Sequence, residues 1–303
     1  MATQNEPLKI GLILKPHLDE DLRPIINNLV VWLNKRKATA IFLEKEEARL
    51  QQLLSKNLFK TIKFYKDKDL YTQSKLIITL GGDGTLIGLC RDVPTNSAPI
   101  FGVNMGRLGF ITEFSKSDFY EWLSEAIKDE LEIYKIPLYK VEVFRRGKSI
   151  YKSHFLNDLV INKNDISRIF SLSVECNGEP LYNISGDGMI ISSPVGSTAY
   201  SLAAGGPIVH PEVNSITLTP ICPHSLTHRP IVIPGSSVVS LRGLKNQGPL
   251  SLTLDGQELC EISKGEVVKV SKSRTRKVSI LLNPKRNYFH TLKEKFTYGR
   301  RDL

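Results

Sequence analysis

Cysteine is scarce in this chain. The 303 residues hold four, Cys90, Cys176, Cys222 and Cys260, with no CxxC pair among them. Thiols scattered in this way build no disulfide framework and suggest a reducing, cytoplasmic compartment. Long apolar runs are missing too: Leu29–Leu33 is among the longest, far short of the roughly 20 residues a membrane helix needs. The polar start, Met1–Pro7, leads into a stretch at Ile10–Leu14 too brief for a signal peptide. Repeats and low-complexity tracts are absent. At 41% hydrophobic and 24% charged residues, the composition excludes disorder, collagen and a coiled-coil rod, and fits a soluble globular protein. Acidic residues are in deficit, 31 against 41 basic, giving a net charge of +10. The cations gather at Lys35–Lys37, Arg145–Lys148, Lys272–Lys277 and Arg300–Arg301, mostly at turns and ends, as solvated faces do. No zinc-finger spacing, RNA-recognition signature or basic zipper accompanies them, so neither nucleic acid nor membrane is expected as a partner. A small polyanion suits the charge equally well.

What is present falls into two rhythms. Up to about Leu131, apolar strands alternate with helical patterns as a parallel sheet requires. Strands are predicted at Leu8–Leu14, Ala38–Leu43, Lys75–Leu80 and Ile100–Val103. Helices are predicted at Asp19–Lys37, Glu44–Leu54 and Ser117–Asp129, the last with Ser117 as N-cap. Beyond it, short strands of period two take over, at Leu138–Phe144, Ser171–Cys176, Ser215–Leu218, Ile231–Ile233, Val238–Leu241, Leu250–Leu254, Glu266–Val270 and Lys277–Leu282. Asn177-Gly178 is the strongest hairpin signal. One helix is expected near Ser197 and another at Tyr288–Phe296. The expected fold is an α/β N-terminal domain with a Rossmann-like parallel sheet, residues 1–134, with the tail 286–303 packing back on it. A mostly-β domain of stacked sheets follows over 135–285.

Gly81-Gly82-Asp83-Gly84-Thr85 stands at the carboxyl end of a predicted strand, where open α/β sheets place ligands. Gly81, Gly82 and Gly84 let backbone N–H groups approach phosphate, and Thr85 can open the next helix as a further contact. Walker A and GxGxxG spacings are both absent. Asp83 is out of place in a plain phosphate cradle. It could accept a proton from an attacking hydroxyl or hold Mg²⁺ on a phosphate; as a plain turn, the segment would use it as a helix cap. Asn157-Asp158 sets two polar groups between apolar stretches, an amide suited to an adenine edge and a carboxylate suited to a ribose diol. Gly186-Asp187-Gly188 leads to Pro194-Val195-Gly196-Ser197-Thr198-Ala199-Tyr200, a helix entry fit for phosphate or sugar oxygens, and Gly205-Gly206-Pro207 stops that helix.

These segments, with Leu254-Asp255-Gly256-Gln257, occur in the order found in bacterial NAD kinases, and the chain resembles that family from about Ile10 to its tail. The resemblance implies transfer of the ATP γ-phosphoryl group to the 2′-hydroxyl of NAD's adenosine ribose, giving NADP. It implies Asp83 as proton acceptor, with Gly84 beside it at the nicotinamide end. Asn157, Asp158 and Arg168 are implied as NAD contacts, Asp187 as a ribose contact, Thr198, Ala199, Tyr200, Ser201 and Ala203 as the adenosine-side segment, and Gln257 as a late contact. It also implies Mg²⁺ with ATP and a homo-oligomer, dimer or tetramer, whose sites a neighbour completes. The chain departs from the family at Ser193-Pro194-Val195, where Thr-Pro-Thr is usual. It departs again at Ser185, which joins the NAD-contact set where some members carry a cation; without that cation, NADH is expected to be accepted beside NAD.

A lipid kinase of the diacylglycerol or sphingoid-base type shares the glycine turn and is the alternative, with Gly196–Tyr200 against it. A non-catalytic nucleotide sensor would not need Asp83. Cys222, His224 and His228 lack a fourth ligand, and Pro220, Pro223 and Pro230 break any helix between them, so no metal site is assigned.

Overall fold

The first rhythm becomes a parallel sheet. The structure, a computed structural model, describes residues 7–16, 22–106, 109–163, 170–225, 227–244 and 249–297. The chain forms two compact units, residues 1–136 with 277–303, and residues 137–276.

In the first unit, strands β1 (Leu8–Leu14), β2 (Ala38–Leu43), β3 (Lys63–Tyr65), β4 (Leu76–Gly81) and β5 (Ile100–Asn104) lie in the order β5-β4-β1-β2-β3, every pair parallel. The end of the long strand Glu266–Leu281 adds Ile280 opposite Ile100. Parallel neighbours need crossovers, and helices Leu22–Lys35, Asp67–Gln73 and Asp83–Asp92 stand in three of them. The first of these buries Leu22, Ile26, Leu29, Val30 and Leu33, the spacing of one helical face. All six residues of β4 are buried, as in a strand covered on both sides. The order reverses beside β1, with β2 and β3 to one side and β4 and β5 to the other. Ligands of open α/β sheets bind outside the carboxyl ends of strands at such a reversal, and β4 ends there in Gly81.

Local details differ from the sequence reading. The Glu44–Leu54 helix divides into a 3₁₀ turn, Glu44–Glu46, and a helix, Glu47–Leu53. The Leu22–Lys35 helix stops short of Lys37, which takes φ +57°; residues 19–21, expected as its start, lie outside the described residues. Ser117 is not an N-cap. The helix runs Phe119–Ile127 with Asp118 at the N-cap position, and the Ser115 N–H and hydroxyl donate to Asp118 Oδ1 at 2.9 and 2.6 Å.

The second unit is antiparallel. One sheet orders Ile231–Pro234, Ser215–Ile221, Gly188–Ser192, Asp158–Lys163, Leu250–Leu254 and Glu258–Ile262 side by side. Another runs from Glu179–Gly186 through Phe170–Cys176 and Val239–Gly243 to the start of Glu266–Leu281. Leu159 and Ile161, Leu252, Met189 and Ile191, Leu172 and Val174, and Val268 and Val270 fill one core. Strand residues alternate between faces, so Asp158, Val160, Asn162 and Thr253 face away from it. Asn177 and Gly178 take φ +55° and +89°, as a type I′ hairpin demands. The helix expected near Ser197 is only a 3₁₀ turn, Val195–Thr198, and one helical turn, Tyr200–Ala203. The strands expected at Glu266–Val270 and Lys277–Leu282 are a single strand.

Candidate active site

Asp83 is the first residue of the helix Asp83–Asp92, with Gly82 at its N-cap. Its carboxylate does not cap that helix. Oδ1 accepts from the Thr112 hydroxyl (2.8 Å), the Thr112 N–H (3.0 Å) and the Ile111 N–H (3.3 Å), while Oδ2 accepts from the Phe110 N–H at 2.7 Å. Gly109 makes this approach feasible: a Cβ there would lie 1.9 Å from Asp83 Oδ1. Oδ2 therefore keeps lone-pair capacity toward a ligand, in an orientation fixed by the loop. Around it Gly81 is buried, Gly82 and Thr85 are half-buried and Gly84 is exposed. A Cβ on Gly82 would meet nothing within 4 Å, so the chain's own packing does not require glycine there. The first turn of a helix carries the positive end of the helix dipole, which favours an anion.

In the second unit, Asn157 and Asp158 sit where a strand begins, held by a turn distant in sequence. Asp255, in the left-handed region at φ +51°, accepts from the N–H groups of Leu156 (3.0 Å), Asn157 (2.7 Å) and Asp158 (3.2 Å). Its own N–H donates to Asp158 O at 2.9 Å. From the other side the Ser193 N–H donates to Asn157 O at 2.8 Å and the Ser193 hydroxyl to Leu156 O at 2.5 Å. Gly196 lies against Asn157 so closely that a Cβ would fall 2.1 Å from its carbonyl oxygen. The turn thus pinned leaves Asn157 Oδ1 buried without a partner among the described residues. Burial, reinforced by Asp255, pushes the Asp158 carboxyl up to about 7. Both residues line a cavity of about 350 Å³ together with Val160, Asn162, Ala199, Tyr200, Thr253, Asp255 and Gly256. Val160 and Ala199 give this lining an apolar part beside the polar Asn157, Asp158 and Asn162, the mixture that small-molecule pockets commonly show.

Comparison with known proteins gives this geometry a lineage. Residues 10–131 match the ATP-NAD kinase N-terminal domain and residues 156–282 the ATP-NAD kinase C-terminal domain. The NAD kinase of Geotalea daltonii is 36% identical over 293 residues, covering 97% of this chain and 99% of its own. The chain belongs to the NAD kinase family. Its membership makes it a phosphotransferase and decides against the lipid kinase alternative. The NAD kinase of Aquifex aeolicus is 37% identical over 278 residues, 89% of this chain and 98% of its own. Yeast NADH kinase, solved in complex with NADH, shares the fold at a TM-score of 0.87 and 23% identity, covering 99% of this chain and 90% of that one. An NAD kinase from Archaeoglobus fulgidus, in complex with ATP, does so at 0.68 and 22%, covering 95% and 98%.

Against this NAD kinase background, the residues singled out in the sequence fall into groups. Asn157, Asp158, Ala199 and Tyr200 meet at the cavity. Ser201 is fully buried and its hydroxyl pairs with Thr219 Oγ1 at 2.9 Å. The Thr198 hydroxyl donates to Val195 O at 3.3 Å, and Ala203 is exposed. Asp187 is away from Asp158: Ser192 pairs with Asp158, whereas Gly188 pairs with Asn162 at the other end of the strands. There Asp187 forms an ion pair with Lys163, Oδ1 to Nζ 2.7 Å. The Ser185 hydroxyl pairs with Ser171 Oγ at 3.0 Å. Gln257 is exposed and does not line the cavity. Arg168 lies outside the described residues. Sequence reasoning missed Asp255, although its Asp-Gly turn was quoted, and missed the loop Gly109–Thr112 that orients Asp83. Short Asp-Gly and Gly-Phe segments carry no local sign of partners 98 and 27 residues away.

Proposed function

We propose that the chain transfers the γ-phosphoryl group of ATP to the 2′-hydroxyl of the adenosine ribose of NAD, forming NADP and ADP, with Asp83 as proton acceptor. The observation that carries this reading is the Asp83 carboxylate, held by four hydrogen bonds at the carboxyl end of β4, with Oδ2 bonded among the described residues only to the Phe110 N–H. As the ribose oxygen attacks the γ-phosphorus, its proton passes to Oδ2 and the bond to the β-γ bridging oxygen breaks. Gly82, Gly84 and Thr85, with Gly81 behind them, offer a helix start for phosphate oxygens. Asn157 and Asp158 recognise the adenosine side, where a ligand N–H or O–H would satisfy the buried Asn157 Oδ1 and the sealed Asp158 carboxyl.

No group of three or more His, Cys, Asp and Glu among the described residues could hold a metal ion. In this reading the divalent cation enters as Mg·ATP, where it would neutralise charge in the transition state. A homo-oligomer is part of the same reading, supported by Leu259, 71% exposed on the edge strand Glu258–Ile262. No helix among the described residues is long and apolar enough to cross a membrane, and the scattered free thiols support a cytoplasmic setting.

A coupled assay for NADP formed from NAD and Mg·ATP tests the activity. A positioned base contributes about 10²–10⁴-fold, so Asp83→Asn should lower kcat by that order with NAD affinity, measured by calorimetry, little changed. Near-normal turnover of that variant would overturn the role of Asp83.

A further inference from the structure

The segment after the long strand reaches back to the loop that orients Asp83. Arg286 is its centre. Nη1 donates to Thr112 O at 2.5 Å, Nη2 to Gly109 O, and Nε to Thr291 Oγ1 at 3.1 Å on the helix Tyr288–Thr297. Glu113 Oε1 lies 3.4 Å from Nη1, and the two side chains are only 9% and 14% exposed. Asn283 seals the back, its N–H reaching Glu113 Oε2 at 3.4 Å and its side-chain amide Glu113 O at 3.3 Å. Burial raises the Glu113 carboxyl above its ordinary range, while Arg286 and the Asn283 N–H pull it down. The arginine and the glutamate thus depend on each other.

Gly109 O and Phe110 N belong to one peptide group. Its carbonyl accepts from Arg286, and its N–H donates to Asp83 Oδ2. We propose that Arg286, backed by Glu113, is a positioning residue for phosphoryl transfer: it fixes the plane of the Gly109–Phe110 peptide and so the direction in which Asp83 Oδ2 faces the ribose hydroxyl. The inference rests on Asp83 being the proton acceptor. A guanidinium suits the task because its planar fork grips two carbonyls in one geometry, which an ammonium cannot do. Its charge also polarises the peptide and strengthens the N–H bond to the carboxylate. Catalytic geometry is sensitive enough that a misplacement of about 1 Å costs about 100-fold in rate.

The test uses the full chain with NAD and Mg·ATP, with Arg286→Met, Arg286→Lys, Asp83→Asn and the Asp83→Asn/Arg286→Met double variant, each checked for folding by calorimetry. Arg286→Met should lower kcat about tenfold or more with KM for NAD within about threefold. Arg286→Lys, which keeps the cation but not the fork, should fall between it and the wild type, and stands in if the methionine variant does not fold. In the Asp83→Asn background the methionine substitution should cost little further activity, because residues acting as one unit are non-additive. A folded Arg286 variant with unchanged kcat, a loss expressed in KM, or a full loss repeated on top of Asp83→Asn overturns the proposal. If Asp83→Asn itself turns over normally, the reading of Asp83 fails and this inference with it. If Asp83→Asn loses activity as expected and folded Arg286→Met keeps the wild-type kcat, only the inference fails.

Discussion

A carboxyl group sealed from water beside a second carboxylate is a standing cost to a fold. Asp158, 4% exposed and next to Asp255, is in that position. Burial first, and Asp255 second, raise it from 3.8 to about 7. Between those values the native state holds a proton that the unfolded chain has released. The stability associated with that proton is complete below about pH 3.8 and is lost as pH rises through about 7, a term on the order of a few kcal/mol. Asp158→Asn removes the ionisation. Its melting temperature should exceed that of the wild type at pH 8, and the gap should close toward pH 4. KM for NAD should rise in the same variant, because an amide replaces the acceptor pair. A calorimetric pH series checks the first part; a gap that does not vary with pH would refute it. Sites that bind ligands commonly hold groups the empty fold would be better without.

At the scale of elements, the two glycine-bearing turns should respond differently to one methyl group. Gly196 touches the Asn157 carbonyl, where a Cβ would come within 2.1 Å; Gly196→Ala must push the strand start aside, at about 1–3 kcal/mol, and should raise KM for NAD. Gly82 faces open space at φ −114°, so Gly82→Ala should leave stability nearly unchanged yet weaken substrate binding, since the methyl enters the room proposed for phosphate. Denaturant unfolding and steady-state kinetics on both variants separate the cases; equal destabilisation would contradict the packing described.

The same elements show what could be read from sequence. The Leu22–Lys35 helix was legible because its buried residues recur at helical spacing, and the Asn177-Gly178 turn because few other pairs accept two positive φ angles. The single strand Glu266–Leu281 was not, because Ser271–Arg276 is polar and reads as a break. The helix after Ser197 was overestimated. Its serines are spent on longer-range bonds instead: Ser197 Oγ accepts from the Val209 N–H, and the Ser201 hydroxyl pairs with Thr219 Oγ1. Of the residues around Asp83 and Asp158, the glycine turn and Asn157-Asp158 announce themselves by chemistry. Thr112, Asp255 and Arg286 do not, because their importance lies in contacts that only the folded chain creates.

For the molecule as a whole, a charge of +10 meets substrates that carry negatively charged phosphates. Attraction of that kind is screened beyond a Debye length of about 10 Å at 0.1 M salt, and beyond about 3 Å at 1 M. KM for NAD and ATP should therefore climb as potassium chloride is raised from about 0.1 to about 1 M, with kcat much less affected. A KM independent of salt would place the excess cations on faces remote from the substrates. The first unit is also discontinuous, since residues 137–276 intervene between its two stretches. Gly109 and the arginine that grips it are 177 residues apart. On the ribosome, the loop around Asp83 is therefore made long before Arg286, and the entire second unit comes between them. A nascent chain, or one cut short within that unit, carries the acid without the residue that aims it.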